Sequence, residues 1–253
     1  MAITIITTGT AMLMTSSAPD HAWLYRTLSW MSPAWPIGSF AFSGGLEWAH
    51  EAGWLADCDA VEGWLRESLA CGALQSEAQA FVHGWQAAPD AAAMRELAEL
   101  VMAAQGSAER ALEASAQGAA FRRIALAANR EANPAETAAY EAALFGIADD
   151  ALPYALAASA LFATFCVPLE PALTAYLHAA LANLVSAAQR IVPLGHTEAQ
   201  LLLVRLEPDV ATAVTHAIPR WSIPLEQSLS SAALAADIAC MAHETQYTRL
   251  FRT

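Results

Sequence analysis

Seven histidines and 25 acidic side chains are the groups with which this chain could hold a metal ion or move a proton. His50 adjoins Glu51 and His243 adjoins Glu244, but neighbours on a helix point about 100° apart and cannot chelate one ion together. No His-x-x-x-His pair occurs, since His21, His50, His83, His178, His196, His216 and His243 are widely spaced. A metal or acid-base centre would have to be assembled from several helices, with Glu47, His50 or His83 meeting in one apolar pocket. A serine nucleophile finds less support. Ile37-Gly38-Ser39-Phe40-Ala41 lacks the second glycine of a nucleophile elbow, and no strand precedes it. Ser43 is followed by Gly44-Gly45, too short a run to cradle a phosphate. The chain contains no lysine, which removes both the phosphate-loop cation and the Schiff base. Cys58, Cys71, Cys166 and Cys240 have no C-x-x-C spacing and read as small buried residues in a reducing cytoplasm.

The elements that must position these groups are helices. From Asp57 onward no alternating β-branched run is long enough for a sheet, so the class is all-α, a single-domain bundle of about ten helices. Helices are expected at 89–105, 107–130, 134–146, 152–166, 170–189, 198–206, 208–217 and 226–242. Leu74, Ala78, Phe81, Val82 and Trp85 form one apolar stripe. Asp59 with Glu62, and Thr197 with Gln200, match capping boxes and would start two more helices. In the irregular segment from Met31 to Gly45, Ser43 is the expected N-cap of the next helix, with Phe40 and Phe42 anchoring the turn in the core.

Against 25 acids stand 12 arginines, a net charge of −13, which opposes binding to nucleic acid or anionic membrane. The hydrophobic fraction is 56%. Its most apolar stretch, Ala151 to Leu169, is uncharged but alanine-rich and lacks a cationic flank, so it reads as a central helix buried on all sides, not a membrane span. Residues 1–22 read as a disordered lead, or as an upstream start codon with the true start at Met12 or Met14; they lack the continuous apolar core of a secretory signal. Residues 23–244 would form the domain. The tail, 245–253, carries Tyr247, Arg249, Leu250, Phe251 and Arg252. Arg and Tyr dominate interface energetics and a terminus is loose unless held, so either the tail folds back on its own domain or a partner takes it.

Four stretches, in order, resemble the urease accessory proteins of the UreF family. They are Trp35-Pro36-Ile37-Gly38-Ser39-Phe40 through Ser43, Gly45, Leu46 and Glu47 to Ala52-Gly53-Trp54; Glu109-Arg110 to Ser115, Gln117 and Gly118; Pro193-Leu194-Gly195-His196-Thr197 to Gln200; and His243-Glu244 to Tyr247, Arg249, Leu250, Phe251 and Arg252. The resemblance implies an all-helical, homodimeric, cytoplasmic and non-catalytic protein without a cofactor. It would bridge a UreD/UreH-type accessory protein and a UreG-type GTPase for nickel insertion into apo-urease, and regulate GTP hydrolysis. It also implies that the tail contacts the UreD/UreH-type partner; set against its position, the tail's composition predicts a segment that is mobile until that partner binds, with Tyr247 and Phe251 as anchors. The chain departs from the family pattern in three places. Ala151, Pro153 and Ala157 stand where a His-x-Pro-x-x-x-Gly pattern is frequent, His196 stands where Gln is common, and Thr253 replaces a usual serine.

Overall fold

Among residues 22–229 and 231–252, which the computed structural model describes, all regular structure is helical. The helices are α1 (Ala22–Trp30), α2 (Leu46–Glu51), α3 (Cys58–Cys71), α4 (Ala73–Ala87), α5 (Ala91–Ala103), α6 (Ala108–Asn129), α7 (Pro134–Ala143), α8 (Tyr154–Thr164), α9 (Leu169–Ile191), α10 (His196–Arg205), α11 (Glu207–Ala217), α12 (Leu225–Ser228) and α13 (Leu234–His243). A 3-10 turn at Ser39–Ala41 precedes α2. All of the expected lead except Ala22 lies outside the described residues, as does Thr253.

The uncharged stretch becomes the axis of the fold. Every residue from Ala155 to Phe162 in α8 is buried, which is why the segment has no polar face: it has no side turned to water. Helices α4 and α6 pack along it, and two glycines permit their approach. A Cβ on Gly84 would lie 2.4 Å from the Ser159 hydroxyl, and one on Gly118 would lie 2.0 Å from the Leu152 carbonyl oxygen. The α4 stripe enters the core as expected, with Leu74, Ala78, Phe81 and Val82 buried and Trp85 packed against its edge. Phe81 meets Phe162 and Tyr176, and Trp30 stands edge-on to Phe162 and Phe165 at 5.4 and 5.1 Å. Among the described residues no helix is long and apolar enough to cross a membrane.

Several local expectations are corrected. Helix α3 is capped by Asp57, whose carboxylate accepts from the Ala60 amide at 3.0 Å, while Glu62 turns away to bond Arg205 and Arg66. Helix α10 starts at His196 after Gly195 without a side-chain cap, so Thr197 lies inside the first turn. The segment 226–242 is two helices, because the Ala232 amide bonds the Cys71 carbonyl at 2.8 Å and holds the connector against the end of α3. Ser43 is fully buried but does not cap α2; Gly45, at φ +84°, takes that position. Phe42 is buried as expected, whereas Phe40 is 70% exposed, because the 3-10 turn aims successive side chains apart.

Candidate functional site

Two polar constructions stand out, one at the C-terminus and one inside a cavity. The first joins both ends of the domain. Helix α13 packs on α2 and α6, which places the fully buried His243 between two carboxylates. Its Nδ1 lies 2.7 Å from Glu109 Oε2 and its Nε2 lies 3.1 Å from Glu47 Oε2. A ring carrying both protons donates to both. Glu47 also accepts from the backbone amides of Leu250, at 2.6 Å, and Phe251, at 2.9 Å. Arg249 donates to the other oxygen of Glu109 at 2.9 Å. Two acids thus face one histidine and one arginine, and charged hydrogen bonds in so enclosed a place are worth more than the same bonds in water.

Around this clasp the tail is fastened at further points. Phe251 is buried beneath the Arg190 guanidinium, 4.0 Å from the ring centre, a cation–π arrangement. The Arg252 amide bonds the Ala41 carbonyl at 2.8 Å, and Arg190 donates to the Phe40 carbonyl at 2.6 Å. Glu244 accepts from the Ala108 amide at 2.9 Å, at the start of α6. Gly45 is forced by contact as well as by its positive φ, since a Cβ there would sit 2.9 Å from Cys240 Sγ. Burial pushes the Cys240 thiol up to about 12, so it acts as packing and not as a nucleophile.

The docking of the tail corrects the expectation of a free segment: two backbone amides, an arginine and a buried phenylalanine hold it to its own domain. Of the expected partner contacts, Phe251 faces inward. Tyr247 is fully exposed and Leu250 is 61% exposed, and Arg249 and Arg252 lie at the same surface. Glu47 joins the clasp, but the other members of the composite enzymatic pocket do not meet it. His50 bonds the Leu55 carbonyl at 2.6 Å, and His83 lies near Glu226 and Arg220. Because the His243 ring nitrogens face opposite ways, Glu47, His243 and Glu109 form a bridge instead of converging on one ion. Among the described residues no group of three His, Cys, Asp or Glu side chains has metal-holding geometry.

The second construction is a cavity of about 690 Å³. Ile37, Gly38, Ser39 and Phe40 line it together with Trp35, Tyr154 and Tyr176. Its polar wall is Glu77, Arg110, Glu113 and Gln117. Arg110 donates to Glu77 at 2.9 Å and to Glu113 at 3.2 Å, Tyr176 donates to Glu77 at 2.9 Å, and Gln117 donates to Glu113 at 3.1 Å. Burial opposes the Arg110 charge, yet Glu113 and Glu77 outweigh it and hold the guanidinium charged. Burial raises the Glu113 carboxyl, only partly offset by Arg110, and burial raises the Tyr176 phenol, reinforced by Glu77. None of Glu47, His50 and His83 lines this cavity.

Glu109 was visible only as part of the resemblance, and Glu77, Glu113 and Arg190 were not singled out at all. The available signal lay in α6, where Glu109, Glu113 and Gln117 recur every four residues on a helix that also buries Gly118 and Phe121; polar groups on a packed face call for partners.

By fold and site this is an all-α domain whose own C-terminal segment is fastened by a buried polar cluster. The profile of the UreF family matches residues 55–207. Over 96% of its length the chain is 41% identical to the urease accessory protein UreF of Bradyrhizobium diazoefficiens (strain USDA 110), all of which is covered. It is 43% identical to the UreF proteins of Rhodopseudomonas palustris strains HaA2 and BisB5, over 94% of this chain and 96% and 94% of theirs. The chain belongs to the UreF family of urease accessory proteins.

Proposed function

We propose that this protein is a urease-maturation scaffold that bridges a UreD/UreH-type accessory protein and a UreG-type GTPase during nickel insertion into apo-urease. It works in the cytoplasm as a homodimer, by contact and without a cofactor of its own, and it regulates GTP hydrolysis by the partner. Nickel is cargo of the assembly. Residues 23–244 are the scaffold, and 245–253 are the segment that meets the UreD/UreH-type partner.

The observation that carries this reading is the outward face of the clasped tail. Tyr247 and Leu250 project from a backbone pinned by Glu47, so two apolar anchors are presented without the ordering cost of a free terminus. Phe251 serves from beneath, holding the segment in place. Coexpression with the UreD/UreH-type and UreG-type proteins, followed by size-exclusion chromatography, tests the proposal. The wild-type chain should co-elute with both, and Tyr247→Ala combined with Leu250→Ala should lose the UreD/UreH-type partner while keeping its fold. Separate elution of the wild-type chain from both partners would defeat the scaffold reading.

A further inference from the structure

The cavity wall carries a charge imbalance that the packing leaves uncorrected. Two carboxylates, Glu77 and Glu113, share one guanidinium, Arg110, and Arg110 is the single arginine of the twelve that lines the cavity. Each carboxylate oxygen already accepts one bond, but an ionised carboxylate offers about four lone-pair positions, so acceptor capacity remains. Tyr154 adds another acceptor, its own proton being directed only to the weak acceptor Met31 Sδ at 3.8 Å. Trp35 and Tyr176 supply aromatic faces, and the Trp35 indole N–H is buried with no hydrogen-bond partner. Surplus acceptors, a net negative wall and ring faces all favour one kind of guest, a positively charged donor.

We propose that this cavity is a binding site for a small organic cation, a primary ammonium or guanidinium compound, whose charged end sits against Glu77 and Glu113 and whose apolar body lies along Trp35 and Tyr154. The volume, about 690 Å³, is that of a small-molecule site. Glu113 makes the site selective by pH. Its carboxyl is raised by burial, so it takes up a proton at higher pH than an exposed carboxylate and must release it before it can pair with the cation. Binding therefore strengthens as pH rises through the Glu113 titration and weakens as pH falls through it. Neither Tyr247 nor Leu250, the side chains proposed to meet a protein partner, lines this site.

The test uses the isolated full chain and three probes of equal length, n-butylammonium, n-butanol and butyrate, followed by calorimetry and by ligand-detected NMR. The ammonium should bind roughly tenfold or more tightly than the alcohol or the acid, with proton release on binding in the range where Glu113 titrates. Glu113→Gln should abolish that proton release and weaken ammonium binding by roughly tenfold, while Tyr247→Ala, far from the cavity wall, should leave binding unchanged. Equal affinity for the three probes, or ammonium binding indifferent to Glu113→Gln, would overturn the proposal. Should Glu113→Gln fail to fold, the probe comparison and the proton release of the wild-type chain decide the matter without it. Because no partner protein enters the experiment, its failure leaves the scaffold reading untouched, and the reverse holds for the coexpression test.

Discussion

At the scale of single residues, two positions carry more than their types suggest. Cys166 is the one non-glycine residue with positive φ among those described, at 55°, and its side chain is exposed. A Cβ in the left-handed region costs about 1 kcal/mol or more, and no buried contact compensates for it here. Cys166→Gly should therefore raise stability by about 0.5–1 kcal/mol after the entropy cost of glycine, read as a higher denaturant midpoint with unchanged slope. Glu47 works in the other direction. It serves His243 and two tail amides at once, so Glu47→Gln removes the charge that His243 faces and one of its acceptor oxygens. Leaving a buried group without its charged partner costs about 3 kcal/mol. The amides of Leu250 and Phe251 should lose most of their protection from hydrogen exchange in this variant, and full protection would show that Phe251 alone holds the tail.

At the scale of elements, α6 meets the backbone that leads into α8 at Gly118. Gly118→Ala places a methyl group 2.0 Å from the Leu152 carbonyl oxygen, backbone that cannot swing aside as a side chain can. We expect a loss of about 3 kcal/mol or more, beyond ordinary overpacking, measured by chemical denaturation; a loss below about 1 kcal/mol would mean that the two helices separate freely. The same pair of elements shows what sequence could and could not reveal. The α4 stripe and the burial of α8 were legible because periodicity and the lack of charge follow directly from which faces meet water. Cap positions were read wrongly at Asp57 and Gly195 because several oxygen-bearing residues stand within one turn of each helix start, and only the backbone decides which of them takes the extended conformation. The clasp was only half legible. Glu47, His243 and Arg249 were named, but nothing local tells Glu47 that its partners lie 196 to 204 residues away, and nothing in the chain around Glu77 and Glu113 tells that they meet Arg110 on one cavity wall.

At the scale of the whole molecule, the tail is part of the folded body. Phe251 is 4% exposed, and burying an aromatic side chain contributes about 1.5–3 kcal/mol. Deleting residues 245–253 should consequently lower the melting temperature by several degrees, on the order of 2–4 °C per kcal/mol for a chain of this size, in addition to removing the exposed Tyr247 and Leu250 that the proposal assigns to partner contact. An unchanged melt would show the docked tail to be energetically idle. The pair Tyr247→Ala and Leu250→Ala separates the two contributions, since those side chains face solvent and their loss should leave the melt nearly as it was.

The clasp also sets a condition on when the protein can act. Glu47 is fixed near the start of the chain, while the amides it holds belong to residues 250 and 251, the third- and fourth-last of 253. On a ribosome adding about 5–20 residues per second, the acceptor emerges some 10–40 s before its donors exist. During that interval a nascent chain can assemble α2 through α11 yet presents no finished tail. Until residues 250 and 251 are made, the clasp stays open on that side and Glu47 faces His243 alone.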